Sequence, residues 1–392
     1  MRRPRYIFVK QTAPAHHFFR ELCEDIAADD AAIVFSDMES HQSRQTLYIK
    51  GPDYDRTSAW SRARSWIRFL FSSLYRTLKV EGRPTVFIVT QPPLLSLLGY
   101  LQHKIRGRPY VLWIDDVWPD VLVRRGLRSE GSLVIRLWRV LNRITYRSAA
   151  HVITIGPYMQ RTVQPYTRGD VPVSVVPTWV DSDSVRPIVK AKNAFAVRHG
   201  QTEKITVLYS GNMGVTHDMK SIVEAARSLT YRDDIHFMLI GGGAQFEWVR
   251  SSSSDLPNVT VLPLQPADIF PLSLATGDIA LVCLERGIEG ISMPSKTYAS
   301  LAAGSAILGI CARESDLAEL IGDCECGTSV EPQNTQAIVD ALLAMIDAPE
   351  VLARMRRNAR TAVETRFSRA VCVAMVREIL EQAEGVAVGQ PA

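Results

Sequence analysis

A chain of 392 residues with 46% hydrophobic and 22% charged side chains is too long for one core and too apolar for a disordered polymer, so it reads as two ordinary globular domains. Its net charge of +4 conceals an asymmetry: residues 1–180 carry 26 Lys and Arg against 15 Asp and Glu, whereas residues 181–392 carry 19 against 26. The front half should therefore seek anions, on nucleic acid or on an anionic membrane leaflet.

The basic start is followed by the apolar run Tyr6 to Val9, too short for a signal peptide. In chain order, apolar strands then alternate with helical patterns: a helix over about 15–28, strand Ala32 to Phe35, a long helix over 58–80, strand Thr85 to Val89, a helix over 94–105 and strand Tyr110 to Ile114. A helix over about 131–148 leads to strands at 151–155 and 173–176. Continuous β-branched runs imply strands covered on both faces, hence a parallel sheet between helix layers.

Pro172, Pro177 and Pro187 bracket a segment that resists regular structure and reads as a hinge. The alternation then repeats, with strands at 205–209, 235–240, 258–262, 279–283 and 306–310 and helices over 219–229, 244–251, 267–274 and 295–303. Helices over about 334–346, 350–363 and 368–384 precede a tail expected to fray. The expected fold is α/β, two Rossmann-like domains facing across a cleft: residues 1–180, residues 181–365, and a C-terminal helix and tail over 366–392 that crosses back to the first domain. Ligands in such sheets bind beyond the carboxyl ends of the strands.

The second domain's first strand, Ile205 to Tyr209, breaks into Ser210-Gly211-Asn212-Met213-Gly214 before a helix. Strand, small-residue turn and helix aim backbone N–H groups at a phosphate. Six cysteines are scattered, with only Cys324 and Cys326 close together. They read as buried free thiols, and neither a zinc site nor a disulfide framework is expected. No stretch of about 18 apolar residues suggests a bilayer span. The chain is therefore expected to stay in the cytoplasm.

With that turn, the run Gly241-Gly242-Gly243 and the segment Met293-Pro294-Ser295-Lys296 in view, the chain resembles the family 4 glycosyltransferases of GT-B fold. In particular it resembles the bacterial enzymes that build surface polysaccharides and O-antigens. Thr90-Gln91-Pro92-Pro93, Asp116-Val117-Trp118-Pro119-Asp120 and Pro177-Thr178-Trp179-Val180-Asp181 stand where that branch carries T-x-P-P, D-x-W-P and P-x-W-V-D motifs. There is one departure. Many members carry two glutamates separated by seven residues, but Glu285 and Glu289 are followed eight positions on by Met293 and Thr297, and Ala299 stands at the place of the second family glutamate.

The resemblance implies a retaining, metal-independent transferase that moves a hexosyl or N-acetylhexosaminyl unit from a nucleotide-diphosphate sugar, with UDP or GDP as carrier and no cofactor. In such enzymes the leaving phosphate takes the acceptor proton, and the protein mainly stabilises developing charge. It assigns Ser210, Gly211, Asn212 and Gly214 to the diphosphate, with Lys296 placing an ammonium on it and Ser295 capping the helix that follows. His217 is a candidate phosphate contact, against a plain surface histidine. Gly242 and Gly243 would let base and ribose approach. Asp116 would orient the acceptor hydroxyl or act as base, against a turn-capping role, and Asp115 could exchange places with it. Glu289 is the candidate carboxylate on the donor sugar, against a solvated loop residue. Asp181-Ser182-Asp183 formally matches a D-x-D metal motif of another transferase fold, but it falls in the linker and chance is favoured.

Two helices suggest a surface. Residues 58–80 interleave Trp60, Trp66, Phe71 and Tyr75 with Arg64, Arg68 and Arg76, and residues 133–147 repeat the pattern with Trp138 and Arg139. Aromatics can enter a headgroup region while arginines meet anionic lipid; the competing reading is a core-packed helix with a basic solvent face. Trp60, Arg64, Trp66, Arg68 and Arg139 are the expected contacts. The expected partners are thus a nucleotide-sugar, a lipid-pyrophosphate-linked glycan and the inner face of the plasma membrane, with no nucleic acid, since no recognised binding motif appears. Two rivals share the fold, a nucleotide-sugar epimerase and a non-catalytic subunit of an assembly complex.

Overall fold

A computed structural model describes residues 3–11, 17–27, 32–36, 42–43, 45–55, 57–215, 217–284 and 286–389. Glu285 and the last three residues of the expected frayed tail lie outside them. The chain forms two compact units: one comprises the chain up to Pro177, Gly290–Ser292 and the chain from Cys372, the other Thr178–Glu289 and Met293–Val371.

The first unit runs β1 (Tyr6–Val9), α1 (His17–Ile26), β2 (Ala32–Ser36), β3 (Gln42–Ser43), β4 (Thr46–Lys50), α2 (Ala59–Leu78), β5 (Thr85–Val89), α3 (Ser96–Arg106) and β6 (Tyr110–Ile114). It continues with α4 (Asp120–Arg124), α5 (Leu133–Arg147), β7 (His151–Thr154), α6 (Pro157–Thr167) and β8 (Val173–Val175). The sheet order is β3-β4-β2-β1-β5-β6-β7-β8, and β3 alone pairs antiparallel. Every residue of β1, β2, β5, β6 and β7 is buried, the burial that their unbroken apolar runs predict.

The second unit runs α7 (Ala194–Arg198), β9 (Ile205–Asn212), α8 (Met219–Ser228), β10 (Ile235–Gly242), α9 (Phe246–Ser252), β11 (Val259–Pro263), α10 (Phe270–Leu274) and β12 (Ile279–Cys283). Then come α11 (Lys296–Ala302), β13 (Ala306–Ile310), α12 (Asp316–Asp323), β14 (Gly327–Val330), α13 (Thr335–Ile346) and α14 (Pro349–Thr365). The all-parallel order β11-β10-β9-β12-β13-β14 reverses direction between β9 and β12, the switch point at which doubly wound sheets bind ligands. Val207, Phe237, Leu281, Leu308, Ile222 and Leu342 belong to the core of this unit. At the opposite end of the sheet, buried Asp278 accepts from Thr206 N at 2.8 Å, from Arg356 at 2.8 Å and from Lys190. The last helix, α15 (Arg369–Gly389), is fastened to the first unit by Arg5–Glu384 at 2.9 Å and by Arg377 donating to Asp25 O at 2.9 Å.

The structure corrects several boundaries. The strand expected over 205–209 continues to Asn212, pairing Gly211 with Gly241 and Asn212 with Gly242. Strands β4 and β14 and helices α6 and α12 were not expected from the sequence. Their signals are short and half-polar, and β14 has no fully buried residue.

Candidate active site

In the second unit the carboxyl ends of β9 and β10 nearly touch. A Cβ on Gly241 would lie 2.1 Å from the Gly211 carbonyl oxygen, and one on Gly243, at φ +114°, would lie 2.3 Å from Asn212 Oδ1. These two glycines are therefore demanded by the protein itself. Gly242 is different: its Cβ would meet only Leu264, at 3.8 Å. Of the glycine triplet, this is the position that leaves room for a ligand.

The turn after β9 is held from inside. Gln245 donates to Gly214 O and, at 2.8 Å, to His217 O, while its own N–H donates to Met213 O at 3.0 Å. The Tyr209 hydroxyl donates to Asn212 O at 2.6 Å, and His217 Nδ1 lies 2.7 Å from that oxygen and 3.2 Å from Gly214 N. Nδ1 cannot both donate to the carbonyl and accept from the amide; the shorter contact favours the tautomer that donates to Asn212 O. His217 thus helps set the turn. Ser210 and Gly211 are half-buried within the strand end, and Asn212 is exposed.

Lys296 reaches the same place from the start of α11. Its Nζ lies 3.9 Å from the Tyr209 ring centroid and 3.9 Å from the position a Gly211 Cβ would occupy. It is sealed from solvent with no hydrogen-bond partner among the described residues. Burial pushes its pKa below the usual lysine value, opposed by the Cys283 thiol beside it. A dehydrated cation whose near neighbours are a π face and a glycine is suited to receive an anion. Ser295 does not play the capping role expected of it: its backbone is helical and its side chain makes no cap hydrogen bond. The start of α8, the helix after the β9 turn, is capped by Asp218, which accepts from Ser221 N at 3.2 Å.

Glu289 Oε1 accepts from Gly287 N at 2.8 Å, so one carboxylate oxygen serves its own loop. Its charge also contributes to raising the Cys311 pKa, which places it near the end of β13. Asp181 Oδ1 accepts from Asp183 N at 3.0 Å and Ser184 N at 3.2 Å, a local turn. No group of three or more His, Cys, Asp and Glu suited to a metal occurs among the described residues.

In the first unit, the loops after β1, β5 and β6 meet at the corresponding switch point, where Gln11 N donates to Gln91 O at 3.1 Å and Thr90 N to Trp113 O at 2.9 Å. The neighbours Asp115 and Asp116 are in different situations. Asp115 accepts from Trp113 Nε1 at 2.8 Å and from the fully buried Lys10 ammonium at 3.3 Å. Asp116 has its carboxyl pushed up to about 6 by burial, with the like charge of Asp115 adding to it and the Ser292 hydroxyl opposing. The structure therefore separates the two: Asp115 is held in an ion pair with Lys10, and Asp116 is poised to accept a proton or hydrogen bond near neutral pH. Asp120 is structural, bound by Arg139 and by the Tyr166 hydroxyl.

The expected surface helices are turned the opposite way to ordinary amphipathic ones. Helix α2 buries Ser65, Phe69, Ser73 and Thr77 and exposes Trp60 (86%), Ile67 (56%), Phe71 (64%) and Tyr75 (63%), with Arg64 and Arg68 also exposed. Its inward hydroxyls are satisfied by the helix itself, Ser73 Oγ donating to Phe69 O at 2.7 Å and Thr77 Oγ1 to Ser73 O at 2.6 Å. On α5, Leu133, Leu137, Val140 and Ile144 are likewise exposed, together with Arg136 and Arg143. Helix α3, which packs against both, adds exposed Lys104, Ile105 and Arg106. Two expected contacts need correction: Arg139 is taken by Asp120 at 2.6 Å and Glu130 at 2.9 Å, and Trp66 is half-buried. Trp138 also turns inward, stacked on Trp118 at 6.2 Å and 11°. No helix among the described residues is long and apolar enough to cross a membrane.

Comparison with known proteins matches residues 15–179 to the glycosyl transferase 4-like domain and residues 191–362 to the glycosyl transferases group 1. The chain is 27% identical over 275 residues to WbjE of Pseudomonas aeruginosa, named as a glycosyltransferase, covering 69% of this chain and 68% of that one. It is 28% identical over 284 residues to WcaI of Escherichia coli K12, whose name places it in colanic acid biosynthesis, covering 68% of each. Among solved structures, sucrose-phosphate synthase from Thermosynechococcus elongatus superposes with a TM-score of 0.78 at 12% identity, covering 97% of this chain and 99% of that one. Anabaena HepE, solved with UDP and glucose, gives 0.71 at 14% identity, covering 96% and 99%. These likenesses show the fold.

Proposed function

We propose, from the premise that the chain belongs to glycosyltransferase family 4, that it transfers a sugar with retention from a nucleotide-diphosphate donor to a lipid-linked glycan in surface polysaccharide synthesis. The single observation that carries the reading is Lys296 Nζ, buried and without a hydrogen-bond partner beside the β9 turn. A diphosphate is an anion of the right kind for it, accepting from the ammonium and from the backbone N–H groups of the turn. The electron pair of the broken glycosidic bond goes to a phosphate oxygen, where Lys296 stabilises the developing charge. That oxygen then takes the acceptor proton.

Asp116 would hold the acceptor hydroxyl through a hydrogen bond, a task that requires its ionised form. HepE was solved with UDP and glucose, which supports UDP as the first carrier to test, with GDP the alternative. The exposed apolar and arginine faces of α2 and α5 suit an anionic leaflet, where a lipid-linked acceptor resides. WcaI and WbjE, as named, support a place in polysaccharide biosynthesis. The test is incubation of folded protein with labelled UDP- and GDP-sugars and membrane extract. Label entering the lipid fraction is expected. Conversion of donor without an acceptor would indicate the epimerase, and donor binding without turnover a non-catalytic subunit.

A further inference from the structure

Lys10 is the first residue past β1 and is fully buried, a place where an uncompensated ammonium would be costly to keep. Its backbone is fixed by the N–H it donates to Phe35 O of β2 at 3.2 Å, and its Nζ lies 5.7 Å from the centroid of the Phe19 ring of α1. From there Nζ reaches Asp115 Oδ2 at 3.3 Å, while Trp113 Nε1, from β6, donates to Asp115 Oδ1 at 2.8 Å. Each carboxylate oxygen of Asp115 thus has a donor on a fully buried side chain, and neither donor can follow the carboxylate out to a substrate. Asp116, next in the chain, is pushed up to about 6 by burial and then by the like charge of Asp115, opposed by the Ser292 hydroxyl, Arg125 and Lys10. On its α1 side Lys10 faces the Cys23 thiol, which burial pushes well above the usual range.

We propose that Lys10 is a positioning residue for the transfer: through its ion pair with Asp115 it holds that carboxylate back and offsets its charge, leaving Asp116 as the carboxylate that the acceptor hydroxyl meets. Its bearing on catalysis rests on the transferase reading, whereas the coupling of Lys10 to Asp116 belongs to the free protein. A buried lysine that only filled the space behind β1 could be replaced by an apolar side chain with no consequence for Asp116. One that offsets Asp115 cannot, because Asp116 would then face the full like charge of its neighbour in a site where little water screens it.

The test is an NMR titration of the aspartate carboxyls in the free protein, with Asp116→Asn identifying the Asp116 signal and the pH profile of kcat/KM measured alongside. In Lys10→Met the Asp116 midpoint should rise by roughly half a unit to one unit, and in Asp115→Asn, which leaves the ammonium without its counter-charge, it should fall by a similar amount. The acid limb of transfer should move with the midpoint in each case. Loss of a merely structural contact would not send the midpoint in opposite directions for the two halves of one ion pair. If Lys10→Met does not fold, the variant carrying both changes takes its place, and the Asp116 midpoint in Asp115→Asn should lie below that in the double variant. A midpoint that stays put or moves the same way in both single variants would overturn the assignment, as would opposite shifts with an unmoved acid limb. Opposite shifts in a protein that transfers no sugar would remove the transferase reading and uphold the coupling of Lys10 to Asp116.

Discussion

The Lys296 ammonium stands 3.9 Å from the centroid of the Tyr209 ring, on the inner side of the turn that ends β9. The Tyr209 hydroxyl bonds the Asn212 carbonyl, so one aromatic side chain both shapes the turn and seats the cation beside it. An unpaired buried charge costs folding free energy that a ligand recovers on binding. Lys296→Met should therefore raise the melting temperature of the free protein, by the equivalent of about 1–3 kcal/mol. Thermal melts without nucleotide check this. A lower melting temperature would mean that the cation has a structural partner.

The glycines are separable. Gly241→Ala drives a methyl to within 2.1 Å of the Gly211 carbonyl oxygen, and should destabilise by about 3 kcal/mol or more. Gly242→Ala meets only Leu264 at 3.8 Å and should fold within about 1 kcal/mol of wild type while weakening nucleotide binding. Urea unfolding together with UDP and GDP titration distinguishes the two outcomes.

Asp116 links stability to pH with a definite sign. Its carboxyl is pushed up to about 6 in the native protein, above about 3.9 for an unfolded aspartate. The native state therefore binds the proton more tightly, and this contribution is present at low pH and lost as pH rises from about 4 to about 6. Asp116→Asn should remove that loss, adding about 1–3 kcal/mol at pH 8. It should also cut transfer by roughly 10²- to 10⁴-fold. In wild type, kcat/KM should fall as pH drops below about 6, because protonation removes the acceptor site.

Gln245 is a positioning residue that the sequence did not reveal. Its amide holds the carbonyl oxygens of Gly214 and His217. Gln245→Leu should raise the donor KM roughly tenfold, at a stability cost of about 1–2 kcal/mol. Gln245→Glu, which cannot donate, should resemble it. Steady-state kinetics with circular dichroism controls is the measurement.

The outward face of α2 gives a surface prediction. Trp60 and Phe71 are 86% and 64% exposed, so Trp60→Ser with Phe71→Ser should leave stability within about 0.5 kcal/mol per substitution. The pair should reduce binding to phosphatidylserine vesicles roughly 10²- to 10⁴-fold, at about 1.5–3 kcal/mol for each of the two apolar side chains. Unchanged co-sedimentation would remove the membrane from the account.

The two sheets were legible because their central strands are unbroken apolar runs buried on both faces, and the β9 turn and Lys296 because motif order marked them. Less was legible where partners come from afar. Which of Asp115 and Asp116 is held in an ion pair depends on Lys10, more than a hundred residues away. The glycine triplet looked like room for a nucleotide, yet two of its members answer to contacts within the protein, with Gly211 and Asn212. Helix α2 showed its mixed composition but not its orientation, because Ser73 and Thr77 can be buried only by bonding the carbonyls of their own helix. Arg139 had the right charge for a lipid surface, and Asp120 had already claimed it.

The most direct test of the donor site is calorimetric titration of UDP and GDP into wild type and Lys296→Met. One nucleotide should bind the wild type, and the variant should bind it roughly 30- to 150-fold more weakly, the equivalent of about 2–3 kcal/mol for a charge-assisted contact. Equal affinity in the two proteins, or no binding of either nucleotide to folded wild type, would contradict the account.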